Sequence, residues 1–379
     1  MTRKVFIAIS NFEYGGAQRQ IVELANNMDP ARYEVHVCSL SDYVPLAENL
    51  TIPKSNFHIV QKKSKYDLSV ATRLAQLFTE LKPDIVQGYL FDANIAVRLA
   101  GRRAKVPVVL DSERNADYIL KTIHKVVYRL TRRMRDACIA NSEAGARFNA
   151  KIHASDGSEQ RVVHNGVDSQ RFRPADASAD RESLGYKPEH FVVGMFGSIK
   201  YQKNHPALFR AASRIMKDHR QVRFLFVGDQ LHAGMHGSAD YKTEMEAMID
   251  SLGIRPVSQF LGNRDDVETL YRCCDVTVLP SYFEGTPNVL LESMACGVPI
   301  LATTVSDNAI IAPNGKVGQL FEINDDDALV SGLEKMAGDL EYTRQLGKNA
   351  REWIEAEYSS SRLAEKTADV YDALLKGGD

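Results

Sequence analysis

The chain has 379 residues, 44% of them hydrophobic and 25% charged. That balance is ordinary for a folded globular protein and excludes a disordered, collagen-like or disulfide-stapled chain, and the length implies two domains of roughly 170 to 200 residues. The formal net charge is only −2, but it is unevenly divided: residues 1–175 carry 26 basic and 18 acidic side chains (net +8), and the remainder carries 21 and 31 (net −10).

In chain order, Val5–Ile9 reads as a first buried strand; it is too short for the core of a signal peptide. Further apolar, β-rich runs follow at Val35–Leu40, Ile85–Leu90, Val106–Leu110 and Ala137–Ala140. Helical periodicity fills the gaps at Ala17–Met28, Ser69–Leu81, Asn94–Arg103 and His124–Arg135. A strand at Arg161–His164 runs into the turn Asn165-Gly166, and Pro174–His190 has the polar composition of a linker. The alternation then restarts. Strands are predicted at Phe191–Phe196, Arg223–Val227, Asp275–Leu279 and Val298–Thr303. Helices are predicted at Pro206–Lys217, Tyr241–Leu252, Asn288–Cys296 and from Asp326 onward. Near-continuous apolar strands alternating with helices indicate parallel sheets covered on both faces. The expected architecture is therefore α/β: two facing doubly wound Rossmann-like domains with a cleft between them. Their bounds are 1–175 and 190–357, and a C-terminal helix at about 358–379 completes the first. The five cysteines are odd in number and lack C-x-x-C spacing, so reduced thiols and a cytoplasmic location are expected. No 18 apolar residues run together to cross a membrane.

The segment Phe283–Glu292 carries the strongest chemical signal. Thr286 suits a helix N-cap and Pro287 the first helical position, which would leave the amides of Asn288 and Val289 pointing out of the helix start. Gly285 permits close approach of a ligand, and such a helix start suits phosphate. Glu292 lies one turn after Asn288 among apolar neighbours, where a carboxylate needs a partner. Glu284 and Glu292 would then flank a diphosphate-sized pocket and accept hydrogen bonds from sugar hydroxyls. The alternative is an ordinary capped helix with a solvated Glu284.

Glu284 and Glu292 form an E-x7-E pair within EGTPNVLLESMACGVPILAT, which resembles the signature of the family 4 retaining glycosyltransferases of GT-B fold. Other landmarks follow in family order: Gly15-Gly16-Ala17 after the first strand, His164-Asn165-Gly166-Val167-Asp168, the loop Gly197–Asn204, and the closing Trp353–Leu375 segment. The resemblance implies that Lys203 neutralises the leaving diphosphate, that Glu292 binds the ribose and that Glu284 lies near the donor sugar. It further implies that Gly285, Thr286, Pro287, Asn288 and Val289 surround the phosphates and sugar. Gly15 and Gly16 would approach the donor from the first domain, although a simple turn explains them equally. Asn263 and Arg264 fall where the family holds the base, and Arg264 could equally start a helix.

Three departures stand out. Ser198 replaces a phosphate-binding arginine, so another cation is required, and Arg114 is one candidate. Asp111-Ser112-Glu113-Arg114-Asn115 replaces a histidine loop and resembles members active on bacterial surface polysaccharides, which places Glu113, Arg114 and Asn115 on the acceptor side. Ser306–Ala309 replaces a downstream glutamate. The implied activity is transfer of a sugar, with retention, from a UDP- or GDP-sugar to a glycan or lipid-linked acceptor, with no metal or other cofactor. A nucleotide-sugar epimerase of the same fold and a non-catalytic sugar-nucleotide-binding protein are the alternatives.

Lys121, Lys125, Arg129, Arg132, Arg133 and Arg135 interleave with Ile123, Val126, Val127, Leu130 and Met134. Either the apolar face enters the core and the basic face is solvated, or the helix meets an anionic membrane surface, giving a peripheral location at the inner leaflet. No aromatic-rich basic platform suggests nucleic acid.

Overall fold

The apolar runs form parallel strands buried on both faces, as their near-continuous hydrophobicity requires. The structure is a computed structural model that describes residues 2–64, 67–114, 120–229 and 238–377. It divides into two units, Met1–Gly166 with Ser359–Asp379, and Val167–Tyr358.

The first unit holds a seven-stranded sheet: β1 (Arg3–Ile9), β2 (Tyr33–Ser39), β3 (Phe57–Ile59), β4 (Ile85–Tyr89), β5 (Val108–Glu113), β6 (Ala137–Ala140) and β7 (Gln160–Val162), in the order β3-β2-β1-β4-β5-β6-β7. The second holds six: β8 (Phe191–Phe196), β9 (Val222–Val227), β10 (Ser258–Phe260), β11 (Val276–Leu279), β12 (Ile300–Thr303) and β13 (Gly318–Phe321), in the order β10-β9-β8-β11-β12-β13. The pairings are parallel throughout. In each sheet the first strand of the unit lies beside the fourth. The winding direction reverses there, and ligands of such sheets bind outside the carboxyl ends at that point.

The unit boundary lies earlier than the composition suggests. Residues 167–190 are neither the end of the first unit nor a free linker. Val167, Phe172 and Tyr186 enter the second unit's core, and the Val167 amide donates to the Tyr358 carbonyl at 2.9 Å. Three apolar anchors in an otherwise polar stretch suffice to dock it. The closing region is two helices, Leu340–Glu357 in the second unit and Ser360–Lys376 in the first. Leu363, Ala364, Ala368 and Tyr371 of the last helix pack into the first core, and the Tyr371 hydroxyl donates to Gln87.

β5 also departs from expectation. It does not stop at Leu110 but continues through Asp111, Ser112 and Glu113, all buried. Charged residues read locally as a loop, yet here each has a partner. Arg98 forks onto Asp111, and Arg135 reaches the same carboxylate at 2.9 Å and Glu159 at 2.8 Å. Burial alone pushes the Asp111 carboxyl up, but Arg98 and Arg135 outweigh it and hold it below its ordinary value. His153 touches Arg98 at 2.7 Å, and its pKa falls to about 3 through burial and the two arginines.

Removing this carboxylate leaves the buried Arg98 guanidinium without a carboxylate partner and Arg135 with Glu159 alone. Asp111→Asn is expected to destabilise the protein by about 3–5 kcal/mol near neutral pH, read by urea unfolding. Because the folded pKa is depressed, the contribution of Asp111 is complete above its unfolded pKa, about 3.9, and is lost as pH falls through the folded value. The gap between variant and wild type should therefore persist down to about pH 4 and shrink only below it.

Candidate active site

The second unit's reversal point lies between β8 and β11, and the loops leaving these strands are laced together. After β8, Gly197 adopts φ 137°, and a side chain there would come within 3.3 Å of the Lys203 stem. A short 3-10 turn, Tyr201–Lys203, then leads into the helix His205–Ile215. The Tyr282 amide donates to the Gln202 carbonyl at 2.9 Å, the Asn204 side chain to Pro280 at 3.1 Å, and the Gln202 side chain to Phe283 at 2.7 Å.

At the centre, Lys203 Nζ lies 2.6 Å from Glu284 Oε1, with side chains only 10% and 8% exposed. The Ser281 hydroxyl donates to the same oxygen at 2.7 Å, and Gln202 to Oε2 at 3.3 Å. The Ser306 hydroxyl donates to the Glu284 carbonyl at 2.6 Å, and its oxygen lies 3.2 Å from the Glu284 amide. Glu284 is thus fixed at both carboxylate and backbone, which rules out a solvated loop carboxylate. The sequence did not signal these three contacts to Glu284: Gln202 and Ser306 reach it from other loops, and Ser281 from three residues earlier on its own.

The helix after this loop spans Asn288–Ala295. Its N-cap is Pro287, in an extended conformation, and no side chain caps it. Thr286 is therefore not the cap and Pro287 is not the first helical residue; the helix begins one residue later. Thr286 is instead buried beside Gly285. The first-turn amides, Asn288 and Val289 among them, lie at a helix start that carries a partial positive charge. One turn on, buried Glu292 accepts a 2.9 Å hydrogen bond from the Tyr271 hydroxyl, and Tyr271 stacks on Phe196 at 3.8 Å. The partner that a carboxylate in an apolar setting requires is therefore a tyrosine 21 residues away.

Ser198 lies half-buried on the β8 loop. Lys200, on the same loop, is half-buried within electrostatic range of Lys203 and Glu284; burial first, and Lys203 second, lower its pKa. Asn263 and Arg264 are not brought to Lys203. They are exposed after β10, two strands away, where the Asn263 side chain accepts from the Asp229 amide at 3.1 Å and Arg264 pairs with Asp266 at 2.7 Å.

In the first unit, Gly15 and Gly16 open the helix Gly16–Asn27 directly after β1, again at the carboxyl edge of a sheet. Gln20 of that helix exchanges two hydrogen bonds with Gly166, at 2.8 and 2.9 Å. Glu113 ends β5, buried, and accepts from Asn149 at 3.2 Å. Arg114 donates to Asn165, lies over the Tyr89 ring and is lowered in pKa by burial. Asn115 lies outside the described residues. Among the described residues, no group of three His, Cys, Asp or Glu side chains is arranged to hold a metal ion.

The basic stretch is a helix, Thr122–Thr131, and a 3-10 turn, Arg132–Met134. Its inner side is anchored by Tyr128, whose carbonyl accepts from Arg98, and by Thr131, which Arg98 contacts at 2.6 Å. Ile123, Val126 and Leu130 point outward, 61%, 43% and 77% exposed, so this apolar face does not enter the core. Arg135 is not part of the basic face, since it is buried on Asp111. No helix of the described residues is long and apolar enough to cross a membrane.

Residues 14–171 match the Glycosyltransferase Family 4 profile, and residues 176–353 match that of the group 1 glycosyl transferases. D-inositol 3-phosphate glycosyltransferase 2 of Catenulispora acidiphila is 30% identical over 243 residues, 64% of this chain and 57% of that protein. The chain thus spans only about half the length of this relative. UDP-Gal:alpha-D-GlcNAc-diphosphoundecaprenol alpha-1,3-galactosyltransferase of Escherichia coli is 27% identical over 321 residues, 80% of this chain and 79% of that one. Among solved structures, Anabaena Alr3699/HepE in complex with UDP superposes with a TM-score of 0.83 at 21% identity, covering 98% of this chain and all of that one.

The Lys203–Glu284 pair has a structural consequence independent of any ligand. Lys203→Met should destabilise by about 3 kcal/mol, because it leaves a buried carboxylate with only neutral donors. Adding Glu284→Gln to that variant should restore most of the loss, and a double-mutant cycle in urea reads the coupling.

Proposed function

The chain belongs to glycosyltransferase family 4 and has the GT-B fold, and on that premise we propose that it transfers a sugar, with retention, from a nucleotide-diphosphate donor to a glycan or lipid-linked glycan acceptor in polysaccharide or glycoconjugate synthesis. The observation that carries this reading is the Lys203–Glu284 pair on the loops that leave β8 and β11, just before the start of the helix Asn288–Ala295. Lys203 and the amides of Asn288 and Val289 stabilise the negative charge that develops on the diphosphate as it leaves. The anomeric C–O bond breaks with its electron pair going to the diphosphate. The acceptor oxygen bonds to the same face of that carbon, and its proton passes to the departing phosphate oxygen. No protein nucleophile enters, unlike the double displacement of retaining hydrolases. Glu284 orients the donor sugar's hydroxyls. Glu292, held by Tyr271, takes the ribose. No metal has a role in this scheme, so turnover should survive a chelator.

A UDP-sugar is the favoured donor, since a neighbour of the same fold has been solved with UDP and with UDP-glucose and the Escherichia coli relative is named for UDP-Gal. That relative's name also specifies a diphosphoundecaprenol-linked GlcNAc acceptor, which supports a lipid-linked acceptor here. Glu113 and Arg114 are assigned to the acceptor side. The exposed Ile123, Val126 and Leu130, flanked by exposed Lys121, Lys125 and Arg133, fit the surface of an anionic bilayer and would place the enzyme at the inner face of the cytoplasmic membrane.

Two experiments test these assignments. In a thermal-shift screen of UDP-, GDP- and ADP-sugars followed by turnover, a UDP-sugar should stabilise the protein and be consumed only when acceptor is present. NMR of the product should show the donor's anomeric configuration. Glu292→Ala and Lys203→Ala should each weaken the hit, and unchanged binding in both would contradict the site. Acceptor-independent conversion would instead reveal an epimerase. In vesicle co-sedimentation, the protein should bind phosphatidylglycerol-rich vesicles over neutral ones, and Ile123→Asn with Leu130→Asn should release it. Equal, negligible binding to both lipids would refute the membrane assignment.

A further inference from the structure

Arg98 and Arg135 both lie buried on the Asp111 carboxylate. Arg114, the half-buried first residue after β5, has no such counter-charge: it pairs with no carboxylate among the described residues. Asn165 accepts from one end of its guanidinium, and the Tyr89 ring centre lies 5.5 Å from it. Both of these partners are neutral. The Arg114 Nε is buried and has no hydrogen-bond partner among the described residues. The neighbouring carboxylate is committed elsewhere, since Glu113 accepts from the Arg114 amide at 3.0 Å and from Asn149 at 3.2 Å. A charged donor that has lost water and gained no acceptor is costly, and what it lacks is an anion.

A second unsatisfied group lies at the same edge. Ser10, the first residue after β1, has a buried hydroxyl without a partner among the described residues. Ile9 faces Tyr89 across the β1–β4 pairing, and Tyr89 faces Ser112 across the β4–β5 pairing. Ser10 and Arg114 therefore leave the sheet on either side of the end of β4, where the strand order reverses and where ligands of such sheets bind. We propose that Arg114 and Ser10 bind a phosphate group of a substrate at this edge. A guanidinium presents a planar fork of donors that matches phosphate oxygens, and the hydroxyl adds a neutral donor. The proposal rests on the sugar-transfer reading above, in which the donor carries one diphosphate and a lipid-linked acceptor a second. It gives Arg114 a chemistry and adds Ser10. Lys203 and the helix start of the second unit are assigned to the donor's diphosphate, so the acceptor's phosphate is the expected occupant.

The test is calorimetry on the full chain with UDP, and with inorganic pyrophosphate added to protein saturated with UDP, for wild type, Arg114→Gln, Arg114→Lys and Ser10→Ala. Wild type saturated with UDP should still bind pyrophosphate. That affinity should fall by about tenfold or more in Arg114→Gln, as loss of a charge-assisted contact does, less in Ser10→Ala, and least in Arg114→Lys. UDP affinity should match wild type in all three variants, which also shows that they are folded. A tenfold loss of UDP affinity in Arg114→Gln, with no pyrophosphate bound beside UDP in wild type, would keep the phosphate site and identify its occupant as the donor. Wild-type UDP affinity in Arg114→Gln together with absent or unchanged pyrophosphate binding would overturn the site and leave the donor reading standing. An equal loss of both ligands in every variant would mean a purely structural role and would overturn it too. A wild-type protein that binds no UDP would overturn the donor reading, and pyrophosphate alone would then still report on Arg114.

Discussion

A lysine and a glutamate separated by 81 residues in the chain share one nearly buried pocket, and the second unit is built so that they can. Burying either charge alone would cost several kcal/mol, roughly, so the pair is tolerable only if geometry and neighbouring donors are right. Ser281 and Gln202 meet that condition at the carboxylate, and Ser306 meets it at the backbone. Each of these groups lies just beyond a strand end, and β8, β11 and β12 are consecutive in the sheet. The strand order that reverses between β8 and β11 is what brings the two loops within hydrogen-bond reach.

The first unit solves a related problem inside its sheet. Asp111 lies within β5 with no exposure, and two arginines from different elements converge on it. Arg98 also holds the carbonyl of Tyr128 and the hydroxyl of Thr131. The helix Thr122–Thr131 is therefore fastened through polar contacts on its inner side. That frees Ile123, Val126 and Leu130 to face outward, where an ordinary amphipathic helix would have turned them into the core.

Local signals and non-local ones separate cleanly here. The alternation of apolar strands with helices was legible from single windows and led to two Rossmann-like units, and E-x7-E pointed to Glu284 and Glu292. The extension of β5 through Asp111 and Glu113 was not legible, because charged residues read as a loop until Arg98 and Arg135 are seen beside them. For the same reason Arg135 looked like part of a basic face. The stretch 174–190 read as a linker and 167–173 as the end of the first unit, because polar residues outnumber the anchors Val167, Phe172 and Tyr186. Tyr271 gave no motif at all, since it takes its meaning from Glu292 in another segment, and Ser306, read only as the replacement of a downstream glutamate, takes its meaning from the Glu284 backbone.

The same contrast bears on charge. Residues 176–379 carry a net −10, a poor setting for an anion if the whole field decided the matter. At the β8–β11 edge the field is local: Lys203 lies on the loop after β8, a helix starts on the loop after β11, and Glu284 is the counter-charge of Lys203. A diphosphate that captures Lys203 takes it from Glu284, but the carboxylate does not become free. Ser281 and Gln202 still donate to it, and Ser306 still holds its backbone. In the proposed reaction the lysine would therefore turn to the leaving group while the glutamate stays where a sugar hydroxyl would find it. One ion pair would thus keep both groups in position before the proposed donor arrives, and its partial exchange would spare the site a larger rearrangement.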